Sequence, residues 1–259
     1  MEAFKKVAVL AAKRGGKILR EGLRQEITVS YKKALEIVTN VDMLSEKAIV
    51  GVIRRSFPDH QIIAEEGSGG EGRSSYKWII DPLDGTTNFS HRFPFFCVSI
   101  ALEVKGRIRM GVIYDPVRRE LFNAEKGKGA FLNGSAIKTS AVKALDQSLL
   151  VTGFSYDIQT NPANTFNHFV NFTLNAQAVR RTGSAALDLC YVAAGRFDGF
   201  WEGKLRPWDT AAGSLILCEA GGRITDFSGG PYSIYDDEIL GSNRKIHKEM
   251  IEILSKKKA

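Results

Sequence analysis

A layered α/β or α+β architecture is the fold class this sequence predicts. Three observations carry it: two segments of helical period open the chain, a run of apolar segments separated by turn residues follows, and from about residue 148 short strands and helices alternate. With 259 residues, 44% apolar and 10% aromatic, the chain can bury a sizeable core, which excludes wholesale disorder.

The elements can be read in order. Phe4, Val7, Ala8, Ala11, Ile18 and Leu19, with Gly15 and Gly22 on the same stripe, follow helical period over about residues 2–22. A second helix spans about 41–56, with Leu44, Ala48, Ile49, Val52 and Ile53 expected inward and Pro58 just beyond its end. Strands are expected over 61–64, 78–80, 96–104, 107–114 and 120–124. The last three are separated by Lys105-Gly106 and Asp115-Pro116, which suggests an antiparallel meander. The stretch 67–75, GSGGEGRSS, is too rich in Gly and Ser to pack and reads as a mobile loop. Further strands are expected over 148–152, 178–181, 197–201, 223–225 and 239–240, and helices over 162–174, 184–194, 207–220 and 246–256. No repeat or long linker divides the chain, so it reads as one unit over 1–259 whose halves, 1–145 and 146–259, meet near residue 145.

Composition narrows the function classes. The longest strongly apolar stretch, 93–102, is interrupted by Pro94 and Ser99 and falls short of the ~20 residues a bilayer needs. The six apolar residues from Val7 to Ala12 are too few for a secretory signal, so a cytoplasmic location without membrane contact is expected. Cys97, Cys190 and Cys218 are widely spaced in apolar sequence and read as buried reduced thiols. The four histidines form no zinc pattern, so any metal must be bound by oxygen. The net charge of +7 sits at the ends: residues 1–33 carry nine Lys/Arg against three Asp/Glu, and residues 244–259 carry six against two. The segment between them carries 21 against 24. Solvated helix faces and a frayed Lys256, Lys257, Lys258 tail explain this better than a nucleic-acid platform.

The most informative segment is WIIDPLDGTTNF, residues 78–89. An apolar strand ends in Asp81, Pro82 is expected to stop the ladder, and Asp84 follows directly before Gly85-Thr86-Thr87-Asn88. Two carboxylates converging there would repel without a cation. A hard ion such as Mg²⁺ wants this all-oxygen cluster, and the Leu83 carbonyl can add to its shell. The amides of Gly-Thr-Thr, if they open a helix, suit a phosphate. D-P-x-D-G is also ordinary turn chemistry, but Asp81 has no turn role that needs a carboxylate. Glu65 and Glu66 close another strand, where α/β sites collect ligands. Glu202 ends the strand FDGFWE. Asp209, in RPWDTAAG, also fits simple compensation of a helix dipole, and Asp42, three residues after Thr39, also fits a capping box.

AEE at 64–66, DPLDGTTNF at 81–89 and WDTAAG at 208–213 resemble the inositol monophosphatase family of Mg²⁺-dependent, lithium-sensitive phosphatases. GSAA at 183–186 and VTNVD at 38–42 fit as well, and the matches run in family order over nearly the whole chain. The resemblance implies a five-layered αβαβα sandwich, usually a homodimer, with the metal- and phosphate-binding residues mostly in the first half. It implies that Glu65, Asp81 and the Leu83 carbonyl hold a first Mg²⁺, that Asp81, Asp84 and Asp209 hold a second, and that a third can bind near Glu65. Gly85 and Thr86 match phosphate-binding amides, and Thr86 with Asp42 matches the pair that orients or deprotonates the attacking water. Asp84, Glu202, Ala185 and, on a poorer motif, Ser155 match substrate contacts. Lys32, Lys33 and Ala34 match a loop over the metals, expected to order when Mg²⁺ and substrate are bound.

The implied substrate is a small sugar or inositol phosphate. Inositol monophosphate leads, dual action on inositol phosphate and fructose 1,6-bisphosphate comes next, and Arg180 or Arg181 is the candidate for a distal phosphate. A different class, an RNA- or transcription-associated protein with a residual phosphatase site, draws on the basic ends, while the intact acidic set argues against a vestigial site.

Overall fold

The computed structural model describes residues 1–33, 35–70, 72, 74–162 and 164–256. The expectations at Ala34, for Glu71 and Arg73 of the 67–75 loop and for Lys257 and Lys258 lie outside the described residues.

The first helix, α1 (Glu2–Gly22), lies where the apolar period puts it. A ribbon of two short strands follows, β1 (Val29–Tyr31) antiparallel to β2 (Ile37–Thr39), and leads into α2 (Asn40–Ser56). Next come β3 (Gln61–Ala64), β4 (Tyr76–Asp84), the one-turn helix α3 (Thr86–Ser90) and the meander β5 (Cys97–Val104), β6 (Arg107–Asp115) and β7 (Glu120–Glu125). The short strands β8 (Ala130–Leu132) and β9 (Ser135–Ile137) complete a seven-stranded sheet in the order β3-β4-β5-β6-β7-β8-β9. All its pairs are antiparallel except β3 with β4.

The second sheet begins at β10 (Leu149–Thr152). After it come α4 (Thr165–Asn175), β11 (Ala178–Arg181), α5 (Ala185–Ala193), β12 (Gly199–Gly203) and α6 (Pro207–Glu219). β13 (Arg223–Thr225), β14 (Glu238–Ser242) and α7 (His247–Leu254) close the chain. The strand order is β11-β10-β12-β14-β13. α1 and α2 cover one face of the large sheet, α5 and α6 lie between the sheets, and α4 and α7 cover the far face of the small one. The architecture is a five-layered αβαβα sandwich.

Strand alternation feeds separate cores. From β4, Trp78 and Ile80 point into the core under α1 and α2, while Ile79 joins the core around α5 and α6. On β5, Val98, Ile100 and Leu102 take the first side and Cys97 and Ala101 the second. Because helices cover both faces, these strands read as almost unbroken apolar runs.

Several expectations are corrected. Pro82 does not end the ladder: β4 runs on to Asp84, pairing Asp81 with Ser99 and Asp84 with Cys97 across a register shift that absorbs the missing N–H. Leu44 is 55% exposed, because α2 turns Asp42, Ser45 and Glu46 inward instead. The described part of 67–75 packs closely, with a bridge between Gly70 and Ile62, and a Cβ at Gly69 would stand 2.4 Å from the Ile62 carbonyl oxygen. Cys97 and Cys190 are buried free thiols, but Cys218 is exposed. The strands β1, β2, β8 and β9 lie outside the expected elements, whereas β13, equally short, falls where expected at 223–225.

At Gly111 on β6 the α6 backbone comes so close that an added Cβ would meet the Ala212 carbonyl oxygen at 2.7 Å and its Cα at 2.9 Å. Gly51, inside α2, has nothing within 4 Å of that position. Gly111→Ala is expected to cost about 1–3 kcal/mol in urea unfolding. Gly51→Ala is expected to stabilise by roughly 0.5–1 kcal/mol.

Candidate active site

The site is built where strands end. β4 delivers Asp81 and Asp84, both buried, and Glu65 follows β3, its N–H donating to the Ile80 carbonyl at 3.2 Å. The first turn of α6 adds Asp209, whose Oδ2 accepts from the Arg206 N–H at 2.7 Å, while Pro207 fits the donor-free first helical position. These four side chains line one cavity of about 590 Å³ together with Leu83, Gly85, Thr86, Ser155, Ala185 and Glu202.

Gly85 is required twice. Its φ of +96° favours glycine, and a Cβ there would sit 3.0 Å from the Phe95 carbonyl oxygen. Just beyond it, the Thr86 Oγ lies 3.0 Å from Asp42 Oδ1 and 3.0 Å from the Leu83 carbonyl. A hydroxyl has one proton, so these two acceptors compete for it. Asp42 keeps its capping-box role as well, its Oδ2 accepting from the Thr39 N–H at 2.9 Å and from the Thr39 hydroxyl. One carboxylate thus starts α2 and, through Thr86, touches a residue of the cavity wall.

Each acid is held by its own donor. Asp81 Oδ1 accepts from the Leu83 N–H at 2.9 Å. Asp84 Oδ2 accepts from the Ser184 hydroxyl and the Ala186 N–H, both at 2.7 Å. The Lys32 ammonium lies 3.2 Å from Glu65 Oε1 and 2.6 Å from Glu66 Oε1. Burial works to lower the Lys32 pKa, but Glu65 and Glu66 outweigh it and push it up to about 12. Glu46 accepts from the Glu66 and Ser68 amides at 2.7 Å each, clamping the turn after Glu65.

The charge pattern is that of a site that wants a cation. Burial, followed by Glu65, Asp84 and Asp209, drives Asp81 well above the usual carboxylate range. Burial likewise raises Asp209, with Asp84 next in effect. Glu65 rises to about 7 and Asp84 to about 6, in each case chiefly through burial. The acids feel one another, yet among the described residues no three His, Cys, Asp or Glu side chains already stand around a single point as a metal centre. Lys32 and the local amides hold them instead. The donor set, four carboxylates and the Leu83 carbonyl, nevertheless fits a hard divalent ion, since a positive charge would offset both their burial and their repulsion.

Away from the acids, Glu202 is buried against Gly153, and burial raises its pKa well above the ordinary value. Ser155 Oγ donates to Asp157 Oδ1 at 2.7 Å. Arg180 does not line the cavity: it is exposed and donates to its neighbour's carbonyl, Val179 O, at 3.1 Å. Arg181 takes the cavity side, because successive strand residues point to opposite faces. Sequence reasoning missed Glu46, Asp188 and Lys204. Glu46 and Asp188 carried a signal, a charged residue on the apolar side of a helix, whereas Lys204 had none.

Comparison with known proteins gives the family. The description of the inositol monophosphatase family matches residues 1–259. The chain belongs to the inositol monophosphatase family. It is 45% identical over 255 residues to the Nus factor SuhB of Escherichia coli, covering 97% of this chain and 95% of the relative. Among solved structures, inositol monophosphatase from Anabaena (Nostoc) is 44% identical, with a TM-score of 0.89 over 98% of this chain and 95% of that one. Extragenic suppressor protein suhB from Bartonella henselae is 40% identical, with a TM-score of 0.94 over 98% and 99%. No helix among the described residues is long and apolar enough to cross a membrane.

The raised acids have a stability consequence within this family fold. Asp84 moves from 3.8 to about 6, so the folded chain holds that proton more tightly than the unfolded one. Its stabilising effect is therefore present at low pH and is lost as pH rises from about 4 to about 6. Urea unfolding without divalent cations is expected to show Asp84→Asn flattening that fall, and an unchanged slope would contradict the burial described here.

Proposed function

We propose that the chain is a Mg²⁺-dependent phosphate monoester hydrolase acting on inositol monophosphate. The observation that carries this reading is the convergence of Glu65, Asp81, Asp84, Asp209, Thr86 and Glu202 on one cavity. Glu65, Asp81, Asp84, Asp209 and the Leu83 carbonyl would hold two or three Mg²⁺ ions. When bound, these would supply the positive charge and Lewis acidity that neutralise the phosphoryl oxygens and activate water.

The chain's own residues do the rest. Gly85 and Thr86 offer amides to the phosphoryl oxygens, a fixed dipolar cradle that needs no reorganisation during reaction. The Thr86 hydroxyl, donating to Asp42 Oδ1 at 3.0 Å, turns a lone pair toward the nucleophilic water and orients it for in-line attack. Burial raises the Asp42 pKa, which suits it to accept the proton that Thr86 passes on. Glu202, Ala185 and Ser155, across the cavity, meet the hydroxyls of the alcohol portion. Arg181, also on the cavity, gives a route to fructose 1,6-bisphosphate as an additional substrate. The enzyme would act as a homodimer.

A second reading has an observation in its favour besides the charge pattern: relatives at 43–45% identity carry the name Nus factor SuhB. Together with the basic ends of the chain, it supports a transcription-associated role, with or without catalysis.

One experiment separates the readings. Phosphate release is measured from inositol 1-phosphate, fructose 1,6-bisphosphate and adenosine 3′,5′-bisphosphate, with Mg²⁺ or chelator, beside a salt-titrated RNA-binding assay. Inositol 1-phosphate is expected to turn over only with Mg²⁺. Asp84→Asn or Asp209→Asn should lose roughly 100-fold or more while remaining folded, since each removes several kcal/mol of charge stabilisation. RNA binding with no phosphate release from any ester would favour the second reading.

A further inference from the structure

Lys204 stands just past β12, two residues beyond Glu202, and its φ is +62°. That left-handed conformation suits glycine and disfavours any residue with a Cβ, yet the glycine here is Gly203 and the strained position keeps a lysine. Its backbone N–H donates to the Asp237 carbonyl at 2.6 Å, which fixes the turn. Its ammonium then crosses to the turn after β10, donating to Asp157 Oδ2 at 2.7 Å and to the Asn161 carbonyl at 3.1 Å.

That turn is otherwise self-contained. Ile158, Thr160 and Asn161 donate their N–H groups back to Ser155 and Asp157. Among the described residues, the side-chain hydrogen bonds that tie residues 155–161 to another element all come from Lys204. Asp157 meanwhile uses its other oxygen, Oδ1, to accept from the Ser155 hydroxyl at 2.7 Å. Ser155, Asp157, Asn161 and Lys204 all line the cavity. A single carboxylate therefore links an ammonium at the end of β12 to a hydroxyl just past the neighbouring strand β10.

We propose that Lys204 is a positioning residue for the polyol end of the cavity: by clamping the 155–161 turn through Asp157, it fixes the Ser155 hydroxyl against the hydroxyls of a bound phosphate ester. This rests on the phosphatase reading for its substrate, but the clamp itself is a property of the fold. The clamp acts on recognition of the alcohol, so its removal raises KM more than it lowers kcat, and it does so selectively for polyol esters.

Lys204→Gly is the informative variant, because it removes the ammonium while relieving the backbone. Hydrogen–deuterium exchange of amides 155–161 is expected to accelerate in Lys204→Gly without a drop in thermal midpoint. KM for inositol 1-phosphate is expected to rise roughly two- to fivefold, the range a half-exposed ion pair supports. KM for p-nitrophenyl phosphate, which has no polyol, should not move. Lys204→Arg should recover most of the inositol 1-phosphate KM, and Asp157→Asn should reproduce the loss. Unchanged exchange in Lys204→Gly, or an equal KM rise for both esters, would overturn the proposal. If no ester is hydrolysed by any form, accelerated exchange upholds the clamp and the phosphatase reading fails alone.

Discussion

Four carboxylates share one cavity at the edge of the large sheet, and their burial, and after it the repulsion around Asp81 and Asp209, is the constraint that the surrounding structure answers. Asp81 and Asp84 are both less than a tenth exposed, and water cannot screen them as it would at the surface. Hence every neighbouring element contributes a donor: the β4 bulge gives the Leu83 amide, α5 gives Ser184 and the Ala186 amide, the entry to α6 gives the Arg206 amide, and the β1–β2 ribbon brings Lys32.

These contacts also join the two sheets. Asp84 at the end of β4 bonds to the start of α5, a hundred residues later in the chain. Close by, the Asn88 amide donates to the Phe95 carbonyl at 2.7 Å and the Thr182 carbonyl at 2.8 Å. The middle α-layer therefore does two jobs. It fills the space between the sheets with Ala186, Leu189, Ala212 and Ile216, and its helix starts present amides and a carboxylate to the cavity.

What could be read in advance follows from the kind of signal each feature leaves. α1 was legible end to end because an apolar stripe with small residues at Gly15 and Gly22 has to pack: a Cβ at Gly15 would meet Ile49 Cδ1 at 2.7 Å. Asp81 and Asp84 were legible because two carboxylates around an Asp-Pro turn at a strand end stand out, whereas Glu65 and Asp209, ambiguous alone, were legible only through the motifs AEE and WDTAAG of the family resemblance. α2 misled the hydrophobic reading at Leu44, since a helix bordering a charged site turns Ser45 and Glu46 inward, where Ser45 bonds the Pro82 carbonyl and Glu46 caps a turn. The choice between Arg180 and Arg181 depended on strand facing, which adjacent identical residues do not reveal. The bond between Lys204 and Asp157 spans 47 residues without a motif and becomes visible only in three dimensions.

The central claim is that the acidic cluster is a cage for divalent cations. Isothermal titration of Mg²⁺ into the wild-type chain and into Asp81→Asn tests it most directly, because Asp81 lies among the other three acids and no substrate has to be assumed. Saturable binding to the wild type that is lost or greatly weakened in a folded Asp81→Asn is the expected result. Absence of saturable binding to the wild type, or equal binding to both, would contradict the account.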